Sequence, residues 1–245
     1  MTTPLERHRH ISTLLFDLDG TLLDIHMPSF LKAYFRALAP CFGMGEDVPR
    51  FREMLLDSVR LMLHARGGER TLDRILVEDF ATRTGMAEEA VLTAFDTFHR
   101  EGLETLRPLT RPFGAAKPLL EKALAAGFTL AVATNPVFLR RAVESRIRWA
   151  GLEGIAFAFI STAENMRVCK PHPEYFTEVL AALGRAPWEC MMIGDDPVKD
   201  MPAALVGIAT FFVPSPGERR HPETADYRGT LEDLSSWIDG RATPP

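Results

Sequence analysis

The sequence is poor in cysteine, in long apolar runs and in excess positive charge. Its three cysteines, Cys41, Cys169 and Cys190, form no CxxC pair, which is typical of a reducing compartment. No apolar run approaches the roughly 20 residues that span a bilayer, and residues 1–10 hold no apolar signal segment. A net charge of −5 argues against a partner held by a basic surface. We therefore expect a cytoplasmic protein with neither a membrane nor a nucleic-acid partner.

The stretch from Ile11 to Asp24 organises the rest of the chain. Thr13–Phe16 is a short apolar run typical of a strand that is buried on both faces. Asp17 and Asp19 follow it and, because side chains alternate along an extended backbone, they should point to the same side. Two carboxylates are therefore expected at the carboxyl end of a buried strand, which is where open α/β sheets bind ligands.

Two neighbouring carboxylates repel each other, and three explanations fit the pair. A hard cation such as Mg²⁺ could lie between them. Alternatively, one carboxylate could act as a nucleophile while the other is a protonated general acid. A strand-end turn rich in Asp and Gly, with no chemistry at all, is the third.

The remaining pattern predicts an α/β fold with a helical block. Between Pro28 and Leu106 apolar residues recur at helical spacing, and no strand is evident. From Pro112 onward, helices alternate with apolar strands, which predicts βαβ units and a parallel sheet flanked by helices. The expected strands are Thr13–Phe16, Phe128–Ala133, Ala156–Ile160, Cys190–Ile193 and Ala209–Val213.

Polar side chains follow three of these strands. Asp17 and Asp19 follow the first, Thr134 the second, and Asp195 with Asp196 the fourth. The carboxyl ends of parallel strands share one edge of the sheet, so these groups are expected to converge. A lysine that precedes a predicted helix, at position 170, supplies a cation. Carboxylates, a hydroxyl, an ammonium and an implied Mg²⁺ suit a phosphoryl group.

These segments resemble the four motifs of the haloacid dehalogenase (HAD) superfamily, in its phosphatase branch. DLDGTLLD at 17–24 matches the first motif and ATN, which contains Thr134, the second. CKPHP, which contains Lys170, matches the third, and GDDPVKD at 194–200 the fourth. The motifs stand in the family's order between Ile11 and about Val213. The resemblance, which is to phosphoglycolate phosphatases in particular, implies a HAD-like Rossmannoid parallel sheet with an inserted all-helical cap.

The resemblance also implies catalytic roles. Asp17 would be the nucleophile that forms an aspartyl-phosphate. Asp19 would protonate the leaving group and then activate water. Thr134 and Asn135 would hold the phosphate oxygens, and Lys170 would steady both Asp17 and the phosphate.

A Mg²⁺ site is implied as well. Its ligands would be Asp17, the backbone carbonyl of Asp19, and Asp195 or the adjacent Asp196. Asp200 would act indirectly, by orienting Lys170 or a water on the metal.

The helical block is interpreted as the cap. Residues 1–24 and 108–245 would form the Rossmannoid catalytic core, and residues 25–107 the cap domain. A lid of this kind implies a small phosphorylated metabolite as substrate, because a closed site cannot admit a folded protein. His26, Arg66 and Arg70 are candidates for the cap residues that set specificity. We expect a monomer or a homodimer.

The implied function is a Mg²⁺-dependent phosphatase that hydrolyses a small-molecule phosphomonoester. The alternatives are a phosphomutase, a 2-haloacid dehalogenase on the same fold, and a non-catalytic binding protein. Dehalogenation requires neither a metal nor an acid two residues after the nucleophile, so Asp19, Asp195 and Asp196 argue against it. The presence of both Asp17 and Asp19 argues against a silent protein.

Overall fold

A computed structural model describes residues 10–214, 222 and 225–242. Its strands are Thr13–Phe16 (β1), Leu23–Ile25 (β2), Thr110–Pro112 (β3), Thr129–Val132 (β4), Phe157–Ile160 (β5), Cys190–Gly194 (β6), Ala209–Phe212 (β7) and Tyr227–Arg228 (β8). Its α-helices are Met27–Leu38 (α1), Val48–His64 (α2), Leu72–Thr84 (α3), Glu88–Thr97 (α4), Ala116–Ala125 (α5), Arg140–Trp149 (α6), Pro173–Leu183 (α7) and Leu231–Ala242 (α8). Residues 1–9, on which the expectation about a signal segment partly rested, lie outside the described part.

A six-stranded parallel sheet forms the centre of the molecule, in the order β5-β4-β1-β6-β7-β8. The central strand β1 is flanked by β4 and β6, and Leu14, Leu15 and Phe16 are completely buried. Burial on both faces explains why β1 is a continuous apolar run rather than an alternating one. The predicted α/β class and all five predicted strands are confirmed; β8 extends the sheet by one more.

Local signals set several helix ends. The Asp47 carboxylate accepts a hydrogen bond from the Arg50 amide (3.2 Å) and so caps the start of α2. Gly85, with φ of 71°, ends α3 in the left-handed conformation that favours glycine. Met201–Val206 forms a 3₁₀ helix that ends at Gly207. Just before it, the Asp200 carboxylate accepts a hydrogen bond from the Asp196 amide (3.0 Å).

The helical insert, defined here as residues 27–109, leaves and rejoins the sheet through one antiparallel ribbon. β2 and β3 pair with Ile25 opposite Thr110 and Leu23 opposite Pro112, so the two ends of the insert lie side by side. The insert has an aromatic core of its own, where Phe42 packs against Phe95 and Phe80 with ring centroids 5.1 and 5.2 Å apart. The boundaries at 25 and 107 stay a prediction.

The insert packs against the core of the molecule. The Leu72 amide donates to the Met166 carbonyl (2.9 Å), and the Tyr34 and Phe138 rings meet edge to face with centroids 5.6 Å apart. Within the described residues, no helix has both the length and the apolar character needed to cross a membrane.

Candidate active site

A cavity of about 400 Å³ lies between the insert and the carboxyl ends of β1, β4 and β6. Asp17, Asp19, Thr134, Asn135, Lys170, Asp195, Asp196 and Asp200 all line it, so the residues predicted from the four sequence segments do converge. The parallel sheet explains this convergence, because residues far apart in sequence follow neighbouring strand ends.

Lys170 is the central cation of the cavity floor. Its side chain is buried, and its ammonium donates to Asp17 Oδ1 (2.9 Å) and to Asp200 Oδ1 (2.5 Å). Burial alone would lower the pKa of Lys170, but the charges of Asp17 and Asp200 outweigh that effect and raise it. The group is therefore a permanent cation that fixes one oxygen of Asp17.

The loop after β4 is held rigidly against this lysine. Thr134 is buried, and its carbonyl accepts hydrogen bonds from the Tyr175 hydroxyl (2.8 Å) and from the Ser161 hydroxyl (2.8 Å). Asn135 Oδ1 accepts from the Lys170 amide (3.2 Å). These contacts place the Thr134 loop beside Asp17 and Lys170, on the wall of the cavity.

Three carboxylates crowd together at the cavity floor. One oxygen from each of Asp17, Asp195 and Asp200 lies within 4.8 Å of the others. Burial, with the charges of Asp17 and Asp200, raises the pKa of Asp195 to about 8. Burial also raises the pKa of Asp200 to about 7, although Lys170 opposes the rise. Buried like charges of this kind require a compensating cation or a proton.

This cluster fits Mg²⁺. Carboxylate oxygens are the hard donors that Mg²⁺ prefers. The backbone also leaves room for them: a Cβ at Gly20, where φ is 96°, would overlap the Asp195 carboxylate, and a Cβ at Gly194 would overlap that of Asp200. Glycine at these positions therefore lets Asp195 approach the turn after β1 and lets Asp200 approach the end of β6.

Asp196 lies outside the acidic cluster, and its role as a metal ligand stays a prediction. It lines the cavity, but its carboxylate accepts from the backbone amides of Val198 (2.9 Å) and Lys199 (3.1 Å) and pairs with the Lys199 ammonium (2.7 Å). These contacts make it a turn-forming residue. Asp200, for which only an indirect role was expected, belongs to the acidic cluster together with Asp17 and Asp195.

A residue that sequence reasoning missed contacts Asp19. Arg146 on α6 is 1% exposed, and its guanidinium forms an ion pair with Asp19 Oδ2. Asp19 Oδ1 is buried and has no hydrogen-bond partner among the described residues. Burial raises the pKa of Asp19, Arg146 opposes that rise, and Asp17 adds to it. Asp19 thus lines the cavity and keeps one buried oxygen without a hydrogen-bond partner among the described residues.

The sequence did hold a signal for Arg146. On α6 the buried Ala142, Val143 and Ile147 form an apolar stripe, and Arg146 falls within it at helical spacing. A charged residue on the buried face of a helix requires a partner. The three predicted specificity candidates, by contrast, do not line the cavity: His26 contacts Ser29, Arg66 contacts His172, and Arg70 pairs with Glu78.

The fold and site together define a Rossmann-like α/β protein with an acidic, lysine-containing centre beneath a helical insertion. A family model described as haloacid dehalogenase-like hydrolase matches residues 11–206. The chain belongs to this family, which confirms the resemblance found in the four sequence segments.

The individual proteins that resemble this chain share only 20–27% of its residues. A phosphoglycolate phosphatase from Xylella fastidiosa is 26% identical over 212 residues, which cover 86% of this chain and 83% of the relative. A protein named pyrophosphatase PpaX from Anoxybacillus flavithermus is 27% identical over 190 residues, 76% of each chain. The crystal structure of a HAD phosphatase from Thermococcus onnurineus superposes with a TM-score of 0.60 at 20% identity and covers 95% of this chain and 100% of that one. At that identity the superposition shows a shared fold.

Proposed function

We propose that this protein is a Mg²⁺-dependent phosphatase that hydrolyses a small-molecule phosphomonoester through an aspartyl-phosphate on Asp17. The observation that carries the proposal is the buried ammonium of Lys170, which is shared between Asp17 (2.9 Å) and Asp200 (2.5 Å) at the floor of the cavity. The names of the two sequence relatives, a phosphatase and a pyrophosphatase, support phosphoryl hydrolysis.

In the first half-reaction, Asp17 would attack phosphorus. Lys170 holds Asp17 Oδ1, which leaves the other oxygen to form the new P–O bond. Thr134 and Asn135, fixed on the adjacent wall, would orient the phosphate oxygens. As the ester P–O bond breaks, Asp19 would donate its proton through the unpaired Oδ1 to the departing alcohol oxygen.

In the second half-reaction, Asp19 would act as a base. It would take a proton from a water whose oxygen attacks phosphorus, and the bond to Asp17 would break to release inorganic phosphate. Asp17, Asp195 and Asp200 would hold Mg²⁺, which supplies charge neutralisation for the phosphoryl oxygens when bound.

The alternatives are less well supported by the site. A 2-haloacid dehalogenase has no use for the crowded carboxylates of Asp195 and Asp200, whose pKa values are raised by burial and by the neighbouring charge of Asp17. A non-catalytic binding protein has no need for Asp19, a cavity-lining carboxylate with a buried, unpaired oxygen. A phosphomutase would use the same residues, but it would transfer the phosphoryl group to a second substrate instead of to water.

The first test is hydrolysis of p-nitrophenyl phosphate by purified protein with Mg²⁺. We expect Asp17→Asn to reduce kcat by at least roughly a thousandfold, since it removes the nucleophile. Asp24→Asn makes the same change at an exposed carboxylate outside the cavity and should leave kcat unaltered. Full turnover by Asp17→Asn, or by wild type after exhaustive EDTA treatment, would refute the mechanism. Release of a single equivalent of p-nitrophenol per active site, without inorganic phosphate, would favour the phosphomutase, because the phosphoryl group would stay on Asp17 until an acceptor is added.

A further inference from the structure

The cavity has two chemically different ends. Every charged residue that lines it belongs to the sheet side, where the acidic cluster and Lys170 lie. Every residue that the helical insert contributes to the lining is uncharged, among them Leu31, Phe35, Leu56 and Val59. The phosphoryl group belongs at the charged end, so the alcohol that departs from it would face the apolar end.

The Tyr34 and His99 side chains near the apolar end are paired with each other. The Tyr34 hydroxyl shares a hydrogen bond with His99 Nε2 (2.8 Å). Burial, reinforced by the charge of Arg146, lowers the pKa of His99 to about 4, so its ring is neutral at physiological pH. Arg146 pairs with Asp19 through one terminal nitrogen; its other terminal nitrogen has no hydrogen-bond partner among the described residues, but it is buried and Arg146 does not line the cavity. Among the described residues, the insert therefore offers no cation to a carboxylate or to a second phosphate on the leaving group.

The apolar wall is also partly uncovered. Leu31, Leu56 and Val59 line the cavity and are half-buried, unlike the fully buried aromatic residues of the insert's core. A ligand that covered their exposed faces would gain hydrophobic stabilisation. A charged group placed there would lose its water without gaining a partner. The volume of about 400 Å³ lies near the lower end of the roughly 300–1,000 Å³ seen for small-molecule sites.

We infer that the substrate is a phosphomonoester of an uncharged, apolar alcohol, with a short alkyl chain or a single ring as its leaving group. This inference rests on the proposed phosphatase function. The inferred leaving group differs from those in the substrates for which the sequence relatives are named. Glycolate carries a carboxylate, and pyrophosphate carries a second phosphate. The two substrate types are therefore separable by experiment.

The test is a series of n-alkyl phosphates from ethyl to octyl, assayed by release of inorganic phosphate. Each methylene buried against the wall should raise kcat/KM about fourfold until the cavity is full. Phosphoglycolate, and a butyl phosphate that carries a terminal carboxylate, should be turned over roughly tenfold or more slowly than n-butyl phosphate.

Two failures would be distinguishable. Phosphate release that is independent of chain length, or faster for the carboxylated esters, would overturn the inference and leave the phosphatase intact. No release from any ester, p-nitrophenyl phosphate included, would refute the proposed function itself.

Matched variants on α2 test whether the wall that contains Leu56 contacts the alkyl chain of the substrate. Leu56→Lys places a cation on the cavity wall, and it should abolish the chain-length dependence while improving turnover of the carboxylated ester relative to n-butyl phosphate. Leu61→Lys makes the same change on the same helix at a residue that is 45% exposed and outside the cavity, and it should behave as wild type. Leu56→Gln is a milder change, which covers the case in which the lysine variant fails to fold. It should reduce the dependence of kcat/KM on chain length, but by less than Leu56→Lys does. Equal chain-length dependence in Leu56→Gln and wild type would contradict the assignment of this wall.

Discussion

Arg146 carries a charge that is almost completely buried, with 1% of the residue exposed. None of the four sequence motifs contains this residue. Arg146 Nε donates to the Ala142 carbonyl (3.2 Å), its guanidinium carbon lies 4.1 Å from the centre of the Phe138 ring, and one terminal nitrogen pairs with Asp19. We propose that it is a positioning residue, which holds one oxygen of Asp19 and leaves the other beside the cavity.

Arg146→Met should destabilise the protein by about 3–5 kcal/mol, because removal of one partner of a buried pair leaves the other charge uncompensated. Urea unfolding measures the change. Arg148→Met is the matched control, since Arg148 lies on the same helix and is exposed, and it should cost less than about 0.5 kcal/mol. The double variant Arg146→Met/Asp19→Asn should recover part of the loss. Equal stability of the two single arginine variants would contradict the buried pair.

The crowded carboxylates predict a dependence of stability on pH. The pKa values of Asp195, about 8, and Asp200, about 7, lie above the ordinary 3.8. Between about pH 4 and 8 the metal-free folded chain therefore holds more protons than the unfolded chain, so its free energy of unfolding should fall as pH rises. Mg²⁺ displaces those protons, and it should raise Tm more at pH 8 than at pH 5.5.

Two aspartate variants check this prediction in EDTA. Asp195→Asn removes one of the titrating groups and should flatten the fall in stability. Asp24→Asn, at an exposed carboxylate outside the cluster, should keep the wild-type slope. Identical slopes for wild type and Asp195→Asn would show that the cluster does not titrate in this range.

At the scale of elements, the strands that the sequence predicts are apolar runs, most of them buried on both faces, with β5 only partly buried. β1 and β6 are continuous apolar runs, so composition alone identifies them. β2 and β3 were missed because each has three residues, too few for a periodic pattern, and because each exists only through its pairing with the other, from Leu23–Ile25 to Thr110–Pro112. Arg146 was missed for a similar reason, since its partner lies 127 residues away.

The aromatic core of the insert predicts that this segment has stability of its own. Phe80 is fully buried, and its ring lies 5.2 Å from that of Phe42 and 5.7 Å from that of Phe51. Phe80→Ala should cost about 3–5 kcal/mol, because it removes a large buried ring and leaves a cavity. Leu92→Ala, at a residue of α4 that is 39% exposed, should cost less than about 1 kcal/mol.

The same variant tests whether the insert is a separate domain. All three tryptophans, Trp149, Trp188 and Trp237, lie outside residues 25–107, so their fluorescence reports on the sheet side, whereas circular dichroism also records the helices of the insert. Trp149→Phe removes a tryptophan that packs against the insert, at Phe30. In that background, Phe80→Ala should shift the dichroism transition to lower urea than the fluorescence transition. Coincident transitions would mean that insert and sheet unfold as one unit.

At the scale of the whole molecule, the sequence predicts the residues at the charged end of the cavity but not those at the apolar end. Strand ends in a parallel sheet share an edge, so the convergence of Asp17, Thr134 and Asp195 follows from topology alone. The apolar end does not follow, because in sequence Leu31 and Leu56 have the same helical spacing as core residues. Only the docking of insert against sheet distinguishes a cavity wall from a core.

That docking also limits the size of the substrate. The insert contacts the sheet side at separate places, through the backbone bond from Leu72 to Met166 and through the ion pair of Asp96 with Arg141 (2.7 Å), and the reactive groups lie in the cavity between them. A phosphoryl group on a folded protein could not reach Asp17 without displacement of the insert. We therefore expect p-nitrophenyl phosphate and N-acetylphosphotyrosine amide, which has an uncharged leaving group, to be hydrolysed, and a folded phosphotyrosine protein to be left at background. A short unfolded phosphotyrosine peptide is the control, because it has the same phosphorylated side chain without the bulk, and its rate should lie between the two. Equal rates for the folded protein and for N-acetylphosphotyrosine amide would mean that the insert does not enclose the site.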